Sequence, residues 1–330
     1  MSTRNFLAHV VSAILFCNFI FLGANAHAAG PDGIVAGVVK VEAVVPAEAQ
    51  SASSLGRARS GSGVILEPQL VLTIGYLLLE ADSVDVITAS GKRVPGSVAG
   101  YDHSTGFGLI RTALPMDGTP VSLGDSDAVA EKQTVFTIGQ GEREATELVV
   151  ISRRTFAGGW EYLIDKPLYT FPPVNNWSGA PLLLADGRLI GIGSLVVADA
   201  AVERQGIPGN LFVPVNLLKP ILADLLSKGR RSTEVQPWLG MTTEIVGGNL
   251  MVQRVSPKGP ADSAGIARGD IVIGVGKTPV RNQIEFYKTL WSQGSAGTEI
   301  SLKLVKGGEL KDVKIKSIDR MDFIRKPSGI

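Results

Sequence analysis

The stretch Gly61–Thr73, with the sequence GSGVILEPQLVLT, places two short apolar runs on either side of a Glu67-Pro68 turn. Each run is rich in Val, Ile and Leu and has the length of a strand, and Gly and Pro commonly bound such segments. Segments of the same kind recur at Val35–Val45, Val84–Thr88, Arg93–Ala99, Phe107–Arg111, Gln133–Ile138 and Leu148–Arg153. Short strands at this spacing predict a mainly β sandwich or barrel from Gly33 to about Ser194.

The composition is that of a globular, exported-type chain rather than a nucleic-acid-binding one. The 330 residues suffice for two domains with their own cores, with 45% apolar and 19% charged residues. Lys and Arg total 32 against 31 Asp and Glu, so no basic field is available for nucleic acid. The single cysteine, Cys17, lies near the N-terminus, so the rest of the chain has no disulfide and no Cys-based metal site. We predict no cofactor and no metal.

Residues 1–28 have the layout of a secretory signal peptide. Arg4 precedes an apolar run over Phe6–Leu22, and small residues follow, so that cleavage after Ala26 or Ala28 fits. The apolar run is also long enough to span a bilayer, which leaves an uncleaved membrane anchor as the alternative. Both interpretations predict export from the cytoplasm.

The remainder divides into two units. A first domain is expected over residues 29–229, with an exposed loop at Pro46–Ser60 and a closing helix at Asn216–Ser227, where apolar residues have helical spacing. Residues 230–237 are polar and read as a linker.

Residues 238–320 read as a compact α+β module, followed by a loose tail at 321–330. Its predicted helix is Asn282–Ser292, which begins at a candidate Asn282 cap and ends before Gly294. Its predicted strands are Leu250–Val255, Ile271–Val275, Glu299–Val305 and Asp312–Ile318.

Several stretches of the first domain together resemble the HtrA (Deg) family of periplasmic, trypsin-like serine proteases with PDZ domains. Gly61–Ile65 is similar to the family's GSG strand, Leu72–Asp82 to its LTNNHVVEGAD segment, and Asn176–Leu182 (NWSGAPL) to its GNSGGPL segment. Further similar segments, in the family order, are Asp102–Ile110, Leu123–Asp127, Phe136–Gly139 and Gly209–Asn216. The resemblance implies a chymotrypsin-like double β-barrel followed by a small α+β PDZ domain.

The resemblance fails at the catalytic triad. A serine protease needs a hydroxyl nucleophile, an imidazole that takes its proton and a carboxylate that orients the imidazole. The family's histidine falls on Tyr76 and its aspartate on Gly106, and only the serine is retained, as Ser178. A tyrosine hydroxyl, with a pKa of about 10, is a poor base at neutral pH. The other histidines, His27 and His103, do not align with the base.

The neighbourhood of Ser178 is altered as well. The oxyanion-hole position, normally Gly, is Asn176, a residue that tolerates left-handed backbone better than most. Trp177 replaces a small polar residue and Ala180 replaces a glycine. We therefore expect negligible turnover, with Tyr76 filling the space of the imidazole and a Tyr76–Ser178 hydrogen bond as an open question.

The second unit keeps the family pattern more completely. Trp238-Leu239-Gly240-Met241 resembles the carboxylate-binding loop of a PDZ domain, which receives a peptide C-terminus while the peptide adds to the neighbouring strand. By the same resemblance, Ile284, Tyr287 and Lys288 on the following helix would set side-chain preference. The alternative is a groove covered by the protein's own chain, because exposed strand edges are often protected.

The sequence thus favours a pseudoprotease that binds peptides or unfolded segments of exported proteins, as a chaperone, an adaptor or a regulatory partner of an active relative. The alternatives are an active serine endopeptidase that uses a non-standard base at Ser178, and a purely structural subunit. Residues 29–60 contain no Phe, Tyr or Trp, whereas aromatic residues in this region hold the family's trimers together. This departure argues against a family-type trimer and leaves the oligomeric state open.

Overall fold

The computed structural model describes residues 35–201 and 206–324. The predicted leader at 1–28, His27 and residues 325–330 lie outside the described residues. No helix within the described ranges combines the length and the hydropathy that a bilayer crossing requires.

The first six strands form a closed antiparallel barrel in the order β1-β2-β3-β6-β5-β4. They are β1 (Val38–Val44), β2 (Ala58–Glu67), β3 (Leu70–Ile74), β4 (Ser83–Ile87), β5 (Arg93–Tyr101) and β6 (Phe107–Thr112), with a short helix α1 (Ala52–Leu55) between β1 and β2. β-Branched residues on the inner faces fill the barrel, and closure leaves no free sheet edge.

A second closed barrel follows, in the order β11-β14-β13-β12-β7-β8. Its strands are β7 (Thr134–Thr137), β8 (Thr146–Ser152), β11 (Leu168–Phe171), β12 (Pro181–Leu183), β13 (Leu189–Val197) and β14 (Gly209–Pro214). A separate two-stranded hairpin, β9 (Phe156–Gly158) with β10 (Tyr162–Ile164), projects from it between β8 and β11. The predicted double β-barrel is confirmed.

The two barrels approach each other closely beside Ser178. The Ser62 amide donates to the Ser178 carbonyl at 2.7 Å, and Gly179 has a φ of +73°. A Cβ on Gly179 would lie 2.1 Å from the Ser62 carbonyl oxygen, so that only glycine fits both the backbone angle and the space.

The closing helix is shorter than the sequence predicts. Instead of a helix over Asn216–Ser227, a 3₁₀ turn at Val215–Leu217 is followed by α2 (Leu222–Lys228), which ends on the left-handed Gly229. Pro220 explains the interruption, since proline disfavours the α conformation of the residue before it and belongs in a first turn.

The loop expected at Pro46–Ser60 is also partly structured. It contains α1 and the start of β2, and Ser51 within it is buried. Its backbone amide donates to the Glu80 carboxylate at 2.7 Å, which ties the segment to the first barrel.

The C-terminal unit is built on a six-stranded sheet, in which β15-β16-β17-β19-β20 are neighbours in that order and β18 pairs with β17. The strands are β15 (Met241–Val246), β16 (Asn249–Val255), β17 (Ile271–Val275), β18 (Thr278–Pro279), β19 (Glu299–Lys306) and β20 (Glu309–Lys316), and the helices are α3 (Pro260–Ser263), α4 (Gln283–Trp291) and α5 (Arg320–Phe323). The side chain of Asn282 caps α4 by accepting the Glu285 amide, as the sequence indicates.

The linker and the described start of the predicted tail, residues 321–324, make specific contacts with other parts of the chain. Arg231 in the linker pairs with the buried Asp102 of the first barrel at 3.0 Å, and the Ser104 hydroxyl donates to Gln236 at 3.1 Å. The tail begins with α5, whose Phe323 ring packs on Trp238 with a centroid separation of 4.7 Å. An aromatic contact of this kind fixes residues that a polar sequence pattern alone leaves loose.

Candidate functional site: a rebuilt protease cleft and an occupied PDZ groove

Tyr76 and Ser178 are in direct contact across the cleft between the barrels. Tyr76 lies on a 3₁₀ turn, Gly75–Leu77, that follows β3, and the Arg59 guanidinium holds this turn by donating to the Tyr76 carbonyl at 2.7 Å. The Tyr76 hydroxyl donates to Ser178 Oγ at 2.7 Å. Burial raises the pKa of Tyr76 well above its ordinary value, so that the phenol keeps its proton. Ser178 Oγ therefore accepts a hydrogen bond where a protease serine would donate one to its base.

Gly106 supplies no orienting carboxylate, and its surroundings disfavour a side chain. Its φ is +82°, and its carbonyl accepts the Gly75 amide at 2.6 Å. A Cβ built on Gly106 would lie 3.2 Å from the hydroxyl of Tyr162, which itself donates to the Thr105 carbonyl at 2.8 Å. A side chain at position 106 would thus be strained and crowded.

His103 is the only histidine within the described residues, and it does not serve the cleft. Its ring nitrogens contact the Tyr101 hydroxyl at 3.2 Å, the Glu161 carbonyl at 3.3 Å and the Arg320 guanidinium at 2.5 Å. Burial and the Arg320 charge hold the pKa of His103 well below its usual range. This neutral imidazole bridges the barrel to Arg320 of the C-terminal unit, and none of its hydrogen bonds is to Tyr76 or Ser178.

The segment at the predicted oxyanion-hole position is hydrogen-bonded to the loop that contains Gly139 and Glu142. The Asn176 side chain donates to Glu142 at 2.8 Å, and the other carboxylate oxygen of Glu142 accepts the Gly139 amide at 2.6 Å. The Trp177 ring lies 6.5 Å from the Tyr76 ring, centroid to centroid. The Asn176 amide is thus held by Glu142, and the Trp177 indole lies beside Tyr76.

The carboxylate-binding loop is occupied by the protein's own Glu161. The backbone amides of Leu239, Gly240 and Met241 donate to the Glu161 carboxylate at 2.8, 2.7 and 2.9 Å. Trp238, the remaining residue predicted in this loop, packs on Phe323 instead. These three amides are the donors that the resemblance assigns to a peptide C-terminus.

The backbone before Glu161 lies along the groove between β15 and α4. The Thr243 amide of β15 donates to the Gly159 carbonyl at 2.8 Å. From α4, the Tyr287 hydroxyl donates to the Gly158 carbonyl at 2.8 Å and accepts the Glu161 amide at 3.1 Å. The tip of the β9–β10 hairpin is therefore held on both sides, as a bound peptide would be.

The other predicted groove residues contribute less. The Lys288 ammonium is exposed and lies 3.6 Å from the Asp165 carboxylate, while Ile284 is half-buried and takes no part in these hydrogen bonds. Sequence reasoning missed Glu161 and Gly159, and also Gln283, whose amide donates to the Thr243 carbonyl at 3.3 Å. The Gly158-Gly159 pair signals a tight turn, but no local pattern tells where that turn docks.

The environment of Glu161 disfavours its charge. The residue is 3% exposed and adopts a left-handed φ of +60°. Burial raises the pKa of its carboxyl to about 7, against the opposing effects of the three amides and of Arg320.

One cavity of about 1060 Å³ joins the cleft to the C-terminal unit. Tyr76 and Trp177 line it on the barrel side, and Trp238 and Arg254 line it on the other side. Within the described ranges, no group of three or more metal-ligating side chains converges. Asp102 next to His103 is bound by Arg231 and Thr105 rather than exposed as a ligand.

Two family descriptions match this chain: a trypsin-like peptidase domain over residues 61–192 and a PDZ domain over residues 237–317. The chain is thus a trypsin-like peptidase domain followed by one PDZ domain. This combination and its relatives, described next, are consistent with the HtrA family of serine proteases.

Among curated proteins, the chain is similar to the serine protease Do-like HtrA of Bacillus subtilis (strain 168), with 26% identity over 291 residues, 78% of this chain and 63% of that protein. It is also similar to a probable periplasmic serine endoprotease DegP-like of Rickettsia conorii, with 24% identity, 81% of this chain and 55% of that protein. The chain therefore spans between about half and two thirds of the length of these relatives.

A solved structure of the HtrA-type protease AlgW with a decapeptide has the same fold, with a TM-score of 0.55 and 18% identity. The match covers 92% of this chain and 99% of that one.

Proposed function

We propose that the chain is an HtrA-like pseudoprotease of the periplasm that binds peptides or unfolded segments of exported proteins without cleaving them. The observation that carries this proposal is the hydrogen bond from the Tyr76 hydroxyl to Ser178 Oγ, at 2.7 Å. The periplasmic location draws on the predicted signal peptide and on relatives named as periplasmic proteases.

The loss of hydrolysis follows from proton transfer. Acyl-enzyme formation requires a base that removes the serine proton as the oxygen attacks. At Ser178 the neighbouring group is a protonated phenol with a raised pKa, which donates a hydrogen bond and takes no proton. Gly106 supplies no carboxylate, so a base introduced at position 76 would lack its orienting partner.

Peptide binding is supported by the PDZ groove. The groove has three backbone donors for a carboxylate and, in Thr243, a strand amide that pairs with an extended segment. The chain itself already places an acidic group and a backbone carbonyl, that of Gly159, on these donors, which illustrates the ligand chemistry that the groove accepts. A chaperone, an adaptor and a regulatory partner of an active relative would all use this property.

The test joins a chemical probe of Ser178 with a binding titration. The full chain and its Ser178→Ala variant are incubated with a serine-directed fluorophosphonate and, separately, with unfolded casein. We expect no labelling and no digestion in either protein, together with weak, saturable binding of peptides that have hydrophobic C-termini. Labelling or digestion that disappears in Ser178→Ala would establish an endopeptidase with a non-standard base instead. An absence of binding across a diverse peptide set would favour a structural subunit.

A further inference from the structure

The Glu161 carboxylate occupies all three amide donors of the carboxylate-binding loop. From this contact we infer that the β9–β10 hairpin is a built-in ligand of the PDZ groove, and that an external peptide binds by displacing Glu161 with its own C-terminal carboxylate. The inference deepens the proposed peptide-binding function and rests on it, because it states what an incoming partner must replace.

The first step is the chemistry of the shared donors. Each backbone amide has one hydrogen to donate, so an amide that donates to Glu161 is not available to a second acceptor. The donors of Leu239, Gly240 and Met241 are all directed at Glu161. A second carboxylate therefore cannot enter while Glu161 stays in place, and occupancy is mutually exclusive.

The second step is the fit of the backbone. A Cβ on Gly159 would lie 2.4 Å from the Thr243 carbonyl oxygen, so the hairpin reaches β15 only because this residue is glycine. The left-handed backbone of Glu161, with a φ of +60°, then turns the chain back into β10. A continuous chain can in this way present a side-chain carboxylate where a free peptide presents its terminus.

The third step is the two-sided burial of the hairpin. Ala157 and Leu163 pack against the core of the PDZ domain, whereas Phe156, Tyr162 and Ile164 pack against the core of the barrels. Alternate residues of a strand point to opposite faces, so this pattern gives the hairpin one apolar face for each domain. The docked position is thus specified along the whole hairpin, and not by Glu161 alone.

The fourth step is competition within one molecule. A tethered ligand acts at a high effective concentration, and an external ligand binds only the fraction of molecules whose groove is open. The wild-type chain should therefore bind free peptides more weakly than the groove itself allows. The groove should select peptides with a free C-terminal carboxylate, because an amidated C-terminus offers one acceptor oxygen in place of two for the three backbone amides.

The experiment uses the full chain with a fluorescein-labelled ten-residue peptide ending in Ala-Val-Val, either with a free carboxylate or amidated. Affinity is measured by fluorescence anisotropy for the wild type, for Glu161→Ala and for Gly159→Val. We expect both variants to bind the free-carboxylate peptide about tenfold or more tightly than the wild type, and the amidated peptide to bind weakly throughout. Glu147→Ala, which removes an exposed carboxylate on β8, is the matched control and should bind like the wild type.

Amide hydrogen exchange without peptide gives an independent readout. The amides of Leu239, Gly240, Met241 and Thr243 should exchange faster in Glu161→Ala and in Gly159→Val, while amides of the barrel core stay protected and show that both variants are folded.

Two results separate the inference from the proposed function. Equal, measurable affinity of wild type and both variants, with unchanged exchange, would overturn the built-in ligand and leave peptide binding intact. Faster exchange in the variants without binding of any peptide would uphold the built-in ligand and count against the proposed function.

Discussion

At the scale of single residues, the hydroxyls of Tyr76 and Ser178 form a donor–acceptor pair at two of the positions that the resemblance assigns to a catalytic triad. The phenol donates to Ser178 Oγ, and Ser178 itself is half-buried. Position 106 adds a second obstacle, because its backbone is left-handed and a Cβ there would lie 3.2 Å from the Tyr162 hydroxyl. Both positions thus disfavour a catalytic triad, and a single substitution at position 76 should not create an active protease.

We predict that Tyr76→His, alone or with Gly106→Asp, does not restore proteolysis. In the single variant no carboxylate orients the imidazole, and in the double variant residue 106 would combine a left-handed φ of +82° with a Cβ 3.2 Å from the Tyr162 hydroxyl. The left-handed backbone alone destabilises a non-glycine residue by about 1–2 kcal/mol. Digestion of fluorescent casein and the midpoint of urea unfolding measure the two effects.

The control is Tyr76→Phe, which removes the hydroxyl and keeps the ring. It should stay inactive and lose no more than about 1–2 kcal/mol of unfolding free energy, the usual effect of one lost hydrogen bond. Casein turnover by the double variant that is abolished by adding Ser178→Ala would show that the cleft retains a usable catalytic geometry, contrary to our interpretation.

At the scale of elements, the β9–β10 hairpin links the two functional regions. Its Tyr162 contacts the turn that contains Gly106, and its tip fills the PDZ groove. The carboxyl of Glu161 has a pKa of about 7 when docked, against an ordinary value of 4.5. The docked state therefore keeps a proton, between these two pH values, that an undocked Glu161 would release.

We predict that docking weakens as pH rises through this window. The docked state binds more protons than the undocked state. The free energy that favours docking is therefore largest below about pH 4.5 and decreases as the pH rises to about 7. The gain in peptide affinity on Glu161→Ala should accordingly be larger at pH 5.5 than at pH 8. Anisotropy titrations at both pH values test this, and the titration of the peptide itself cancels because both proteins bind the same peptide.

The other ionisable groups around Glu161 have definite roles. Arg320 lowers the pKa of Glu161 by attraction, Tyr287 is held protonated by burial, and the pKa of His103 is well below its ordinary value.

A Glu161→Gln variant has no proton to exchange, so its affinity relative to Glu161→Ala should not change between the two pH values. An equal gain for Glu161→Ala at both pH values would contradict the prediction.

The hairpin also marks where sequence reasoning stops. The strands follow from local patterns, since short β-branched runs and turn residues encode strands wherever they occur. Their arrangement as two barrels and a PDZ module is implied by the resemblance to the HtrA family and not by those patterns. The destination of Glu161 depends on a contact 78 residues away in the chain, with Leu239, and no periodicity encodes such a pairing. Likewise, no sequence pattern predicts the contact of Phe323 with Trp238, which lie 85 residues apart in the chain.

At the scale of the whole molecule, the linker between the first domain and the PDZ domain is held to the first barrel by a largely buried ion pair, Arg231 with Asp102. The Asp102 carboxylate accepts two hydrogen bonds from the Arg231 guanidinium, at 3.0 and 3.2 Å, and one from the Thr105 amide at 2.9 Å. The side chains are only 4% and 18% exposed, for Asp102 and Arg231 respectively. The same carboxylate thus organises the turn that ends at Gly106 and anchors the linker.

We predict that Arg231→Ala destabilises the chain far more than Arg230→Ala, although the two residues are adjacent. Removing Arg231 leaves the buried Asp102 charge without its partner, which should lower the unfolding free energy by about 2–3 kcal/mol. Arg230 pairs with Asp322, whose side chain is 59% exposed, at 2.6 Å and with Asp319, 16% exposed, at the longer distance of 3.4 Å. Because the Arg230 side chain is itself 38% exposed, we expect its loss to cost about 1 kcal/mol, close to the range of surface pairs. Equilibrium urea unfolding followed by tryptophan fluorescence measures both values. Adding Asp102→Asn to Arg231→Ala removes the unpaired charge and should recover part of the lost unfolding free energy. Equal, small losses for the two arginine variants would mean that the linker is held by other contacts.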